Sequence, residues 1–472
     1  MAGRDTIPLR PVGDDAPPHA HAYVAPYRWF IAASLALGIG GGFMLALLLP
    51  LARAEEWGWS DGMRWQALIQ AHGQLQLIGF GGLFVMGMAF RLMPRFSGRP
   101  LAFPALVPAL IPVIATSLIL RSVAEPWSDG AVRDTAFVAS AVLLLLGGLA
   151  FAAIIGRTLL HRNSRAEATA YFFVFGAIGF CAGAVLNLMQ TIEVVRDGLS
   201  IAPVSKQTAQ LFAQQYGFLI MFLSGVGLRA IPTLMGAPRR AAATRAVALL
   251  LASGITLFTG AMLWIAYRSF SETAARIGDV GLLLTAVAFA TSVWVSGALR
   301  SSENRVADAS QTVFWFVRSA FAWLLVAALV TSWYAVRALL AGALPDTFEL
   351  DAIRHILTVG VLTMMIIGMA MLIVPEFAGR RLQHPDERWL QRGMLIALNA
   401  AAALRLWPAI EGVNWLAATR YWPIAASGGL ASCVVIIFAA MFAQSYFEQR
   451  TPGWGAPAPQ AASRIPNTKA SP

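Results

Sequence analysis

Apolar stretches of roughly 20 residues or more, separated by short polar turns, occupy most of the chain. Twelve can be traced, over about 27–52, 63–93, 101–121, 134–160, 166–192, 205–232, 243–267, 276–299, 311–341, 350–375, 389–410 and 420–446. A helix needs about 20 apolar residues to cross the hydrocarbon core of a bilayer. The stretches lack the alternation of strands, and in lipid only helices of this length satisfy their own backbones. The pattern predicts an all-α polytopic membrane protein with about twelve transmembrane helices. Residues 1–26, polar and proline-rich, and 451–472, rich in alanine and proline, are expected to be disordered cytoplasmic tails. Residues 1–26 also lack the short apolar core of a cleaved signal peptide.

A second period lies over the first. The second, sixth and tenth stretches end Gly87-MAFRLM-Pro94-RFS-Gly98, Gly225-VGLRAI-Pro232-TLM-Gly236 and Gly368-MAMLIV-Pro375-EFA-Gly379. In each, glycine precedes proline by seven residues and a second glycine follows it by four. The prolines are 138 and 143 residues apart, from 94 to 232 and from 232 to 375. Proline and glycine often close helices, but that alone does not repeat a fixed spacing three times. The expected organisation is three parallel four-helix repeats, over 27–160, 166–299 and 311–446, with the marked helix second in each.

Composition and charge narrow the class. The chain is 58% hydrophobic and only 12% charged, against roughly 25% charged residues in soluble domains. A soluble enzyme is excluded. The net charge of +11 does not point to nucleic acid, because the basic residues sit mostly at the ends of apolar runs. Arg95, Arg99, Arg157, Arg162, Arg165, Arg239, Arg240, Arg245, Arg300, Arg305, Arg380, Arg381, Arg388 and Arg392 gather on one face. The other face is richer in acids, with Arg53, Arg64, Arg121 and Arg133 as exceptions. By the positive-inside rule the arginine-rich face is cytoplasmic, and an even helix count puts both termini there. Cys181 and Cys433 both fall in apolar runs and form no pairing pattern.

Of six histidines, His19 and His21 lie in the first tail, and His161 and His384 in cytoplasmic turns. His72 and His355 fall within the second and tenth stretches. His72 stands 22 residues before Pro94 and His355 stands 20 before Pro375, a difference of roughly 3 Å in depth. Two neutral imidazoles facing each other across a gap are what an iron porphyrin needs for axial ligation from both sides. The expected site is a low-spin bis-histidine haem b, with His72 and His355 on the iron and Phe80, Phe84, Met365 and Met369 as apolar walls. Glycines 79, 81 and 82 would let a flat ring approach the backbone. An intramembrane histidine also serves simply as an interhelical hydrogen-bonding group. The sixth stretch has Gln210 where the second has His72, so three imidazoles for copper are missing. Arg91 and Arg229 are expected to snorkel to the cytoplasmic interface, leaving Arg64, Arg354 or tryptophans to meet outward-pointing propionates.

The segments AHGQLQLIGFGGLFVMGMAFRLMPRFSGRPL (71–101) and RHILTVGVLTMMIIGMAMLIVPEFAGRRL (354–382) resemble the NnrS family. The resemblance implies a bacterial twelve-span protein of the inner membrane, linked to nitric oxide and containing haem, with copper also reported for the family. A more distant likeness is to the catalytic subunit of haem–copper oxidases and nitric oxide reductases. In that family, histidines on the second and tenth helices hold a low-spin haem, matching His72 and His355. Its further tenth-helix histidine and its copper ligands have no counterpart here. Three functions stay open. One is a haem-b protein that binds nitric oxide, senses it or transfers electrons in the response to it. Another is an oxidoreductase without the usual copper site, passing electrons from quinol to a redox partner. The third is a transporter of a small solute or metal complex, using the glutamine-rich second and sixth helices.

Overall fold

The computed structural model describes residues 25–60, 62–160, 168–300, 311–378, 388–409 and 420–447. Both tails, His19, His21, His161, His384, Arg162, Arg165, Arg305, Arg380, Arg381 and Gly379 lie outside them. The described residues form twelve helical segments and no strand. They are α1 (Pro26–Ala54), α2 (Met63–Ser97), α3 (Pro104–Trp127), α4 (Gly130–Leu160), α5 (Ala170–Arg196) and α6 (Val204–Leu234). The second half comprises α7 (Ala241–Arg268), α8 (Glu272–Ser296), α9 (Gln311–Ala341), α10 (Thr347–Val374), α11 (Arg388–Leu406) and α12 (Tyr421–Gln444). Eleven are long and apolar enough to cross a membrane; α11, with Arg388, Arg392 and Arg405 in nineteen residues, falls short by that measure. The protein is an all-α, multi-pass membrane protein.

The helices α2, α6 and α10 form the buried centre, while the others show part of their surface outward. Each central helix contains an eight-residue π-helical stretch, Leu75–Gly82, Ala213–Ile220 and Ile356–Thr363. These stretches begin 138 and 143 residues apart (75 to 213, 213 to 356), the same intervals that separate the prolines. Such wide turns are rare in long runs and cluster where a helix does something besides pack.

The glycines of the repeated pattern have a local cause. A Cβ on Gly87 would stand 2.6 Å from Phe30 Cβ of α1, and one on Gly368 would stand 2.7 Å from Phe316 Cβ of α9. A Cβ on Gly225 would come 2.9 Å from Phe172 Cβ of α5. Each central helix therefore lies against a phenylalanine from the helix that precedes it in the chain, at a spacing only glycine admits. The second glycine ends the helix: Gly98 and Gly236 have φ of 68° and 66°, the left-handed conformation that closes helices at least cost with glycine.

One stretch was placed short. The sequence pattern ends the third span near residue 121, whereas α3 continues to Trp127 and carries Arg121 and Glu125 inside the bundle. Arg121 Nε donates to Glu125 Oε2 at 3.1 Å, and both residues are buried. Four residues apart, they share one helix face and neutralise each other there. The Arg121 guanidinium also donates to Asn187 of α5, whose Oδ1 accepts from Gln210 of α6 as well.

Candidate functional site

The helices α2 and α10 bring His72 and His355 together. Their ring centroids are 6.4 Å apart and their planes are within 7° of parallel. His355 immediately precedes the π-helical stretch of α10, and His72 stands three residues before that of α2. The Nδ1 of His72 lies 2.8 Å from the carbonyl oxygen of Gly42 in α1, and the Nδ1 of His355 lies 2.8 Å from that of Asp351. A carbonyl only accepts, so Nδ1 carries the proton in each ring and Nε2 of the neutral imidazole keeps its lone pair. Metal-binding histidines use this arrangement: one nitrogen donates to a carbonyl or carboxylate, which fixes the ring and leaves the other to ligate.

The approach of α1 depends on its glycines. A Cβ on Gly38 would stand 2.9 Å from the Phe80 ring, and one on Gly42 would stand 2.5 Å from Gln76 Oε1. Its own π-helical stretch, Gly38–Phe43, contains the carbonyl that holds His72.

Two charged residues complete the cluster. Arg405 of α11 donates through Nη2 to Asp351 Oδ2 at 2.9 Å and to His355 Nε2 at 3.1 Å. Asp351 also faces His355 Nδ1, at 3.3 Å from Oδ1. The side chains of His355, Asp351 and Arg405 are 17%, 31% and 15% exposed, so the crevice is not sealed. Among the described residues, no three His, Cys, Asp or Glu side chains gather to hold a metal ion by themselves.

The pair suits a metal that brings its own equatorial donors. Imidazole nitrogens bind metals at about 2.0 Å, so two on opposite sides of one iron are about 4 Å apart, and the ring half-widths bring the centroids to roughly 6 Å. The 6.4 Å spacing matches, and parallel planes let both rings stand edge-on to one porphyrin. One exchange is required. Arg405 occupies the lone pair that His355 would offer, so it must turn away for His355 to ligate.

The other expected site residues lie elsewhere. Phe84, Met365 and Met369 line an apolar cavity, 10 to 14 residues along the helices from the histidines, or roughly 15–20 Å. Phe80 is buried against Phe43 of α1 in an edge-to-face pair at 4.9 Å. Arg229 stacks over Phe96 at 4.3 Å and Arg64 over Trp127 at 4.9 Å. Arg354 joins the site through its backbone, its carbonyl accepting from Gln215 at 2.7 Å. Gln210 holds Asn187 and does not face the histidines through any bond it makes here, whereas Gln74 and Gln214 exchange amide hydrogen bonds at 3.0 and 3.4 Å.

Sequence reasoning missed Asp351, Arg405 and Gly42. Two of them had a signal. Asp351 precedes His355 by one helical turn and so shares its face. Arg405 is an ionisable residue inside an apolar stretch, where such residues are functional candidates by default. Gly42 contributes a backbone atom and left none.

A model of the NnrS protein family matches residues 23–450, nearly the whole chain. No curated protein matches it.

Proposed function

The chain belongs to the NnrS family, and we propose that it is a haem-b protein of the bacterial inner membrane, acting in the nitric oxide response with which that family is associated. The observation that carries this reading is the parallel imidazole pair at 6.4 Å, each ring tethered through Nδ1 to a backbone carbonyl. His72 and His355 would hold the haem iron. A haem bound there supplies one-electron redox chemistry. The surrounding residues set its conditions: Gly42 and Asp351 fix both imidazole tautomers, and Arg405 is a cation for the acidic side chains of the porphyrin once it leaves His355. The arginine asymmetry supports cytoplasmic termini in this reading, with lipid the surrounding medium. Quinol or another redox partner would deliver electrons, and no copper ligand set enters the proposal.

The optical spectrum of the purified protein tests it. A low-spin haem b spectrum is expected, lost in His72→Ala and in His355→Ala and retained in Gln210→Ala. A colourless wild-type protein after expression with excess haem would overturn the reading.

A further inference from the structure

The apolar cavity flanked by Phe84, Met365 and Met369 lies among the three central helices, along the line they enclose. Its walls follow the 138- and 143-residue intervals throughout. Phe84, Phe222 and Met365 occupy equivalent positions in α2, α6 and α10 and form one ring of the lining. Ala89, Gly227 and Ala370 form another. Two further complete triplets lie between these, and Leu92 and Ile373 belong to a fifth.

The small ring is what leaves the space open. Nearer the histidines the same axis is closed. Gly81, Leu219 and Leu362 are another equivalent triplet, and a Cβ on Gly81 would meet Leu362 at 3.0 Å and Leu219 at 3.1 Å. The two leucines fill the room that the glycine gives up.

The cavity measures about 60 Å³ and its walls are wholly apolar. A smaller chamber of about 20 Å³ adjoins it, sharing Leu223 and Met365 and reaching Phe321 and Leu324 of α9. The space is a half-open cleft, and water entering it gives up hydrogen bonds that its apolar walls cannot return. For an apolar solute the balance is reversed. The main cost of dissolving it in water is opening a cavity, and here one is already open.

We propose that this axial cavity is a binding site for small apolar gases, the class that includes nitric oxide and dioxygen, and that it concentrates them in the core of the bundle. The site is made of residues separate from the histidine cluster and does not depend on haem.

Xenon tests this directly. Crystals of the full-length protein held under xenon are expected to show a xenon atom within the rings of Phe84 and Ala89. The same peak is expected in His72→Ala, so a failure of the haem reading leaves this result standing. Gly227→Leu should abolish it: a Cβ there meets nothing nearer than Phe321 Cζ at 3.9 Å, so the added side chain has room to occupy the void. Ala370→Ile is the second filling variant, and xenon NMR in detergent reads the same loss if either fails to crystallise. Ordered water or a lipid acyl chain in the cavity would overturn the proposal. So would xenon bound at other sites of the same crystal with none on the axis.

Discussion

The outer and inner halves of the three central helices share one backbone plan and have opposite chemistry. In the inner half, equivalent positions carry equivalent side chains: two phenylalanines and a methionine in one ring, two alanines and a glycine in another. In the outer half the correspondence breaks down. His72 is matched by Gln210 and Ile353, and His355 by Phe212 and Gln74. The three π-helical stretches lie across the boundary in identical register. Three helices in matching register thus line a void of equivalent residues at one end and carry a single asymmetric polar cluster at the other. The difference shows how a repeat acquires one site in place of three: the glycines and prolines that set helix approach stay in every copy, and the polar groups are kept in one arrangement only. The two histidines are not each other's equivalents, being displaced by two residues in register, yet their rings meet.

The largest effect should come from the charged pair that α3 buries beside the central helices, Arg121 with Glu125. Arg121→Leu leaves Glu125 buried without its partner, and removing one member of such a pair costs roughly 3–5 kcal/mol. Thermal unfolding in detergent should show a large fall in Tm for Arg121→Leu. The double variant Arg121→Leu/Glu125→Leu should recover most of it, since no charge is then stranded. A double variant as unstable as the single one would mean that Asn187 and Gln210, and not the ion pair, carry the stability of this end.

A second effect probes the repeat itself. Gly87→Ala and Gly368→Ala each press a methyl group onto a phenylalanine of the neighbouring helix, Phe30 or Phe316. Overpacking of this kind costs about 1–3 kcal/mol, and equivalent contacts should lose similar amounts. Unfolding midpoints of the two variants measured side by side check it. A large loss in one and none in the other would show that the units have diverged in packing as well as in chemistry.

This contrast also explains what could be read from the sequence. The twelve helices and the Gly–Pro–Gly pattern were legible because hydropathy and backbone punctuation are local properties. His72 and His355 were legible as a pair because proline served as a ruler of depth. The π-helical stretches were not, since an apolar run has the same composition whether its turns are wide or regular. Arg121 stands among the exceptions on the acid-rich face because charge ends the apolar run there, and only its four-residue spacing from Glu125 hints that the two neutralise each other within the bundle. Phe80 and Phe84 were both taken as porphyrin walls from composition alone. Four residues apart, they lie on nearly the same helix face, but Phe80 meets Phe43 of α1 and Phe84 meets the cavity one turn further along, a difference of depth that composition does not report.

The smallest effect has the opposite sign and bears on the inner half. Gly227 lies in the interior of α6, where glycine is less favourable than alanine by roughly 0.5–1 kcal/mol because the unfolded chain gains more freedom. Unlike Gly87, it is not held by a close approach: the nearest atom to an added Cβ is Phe321 Cζ, at ordinary contact distance. Gly227→Ala should therefore raise the unfolding midpoint slightly while narrowing the axial cavity by one methyl group. A loss of stability comparable to that of Gly87→Ala would mean that the small ring is already close-packed. The inner half would then be an ordinary core, and its threefold likeness a matter of packing alone.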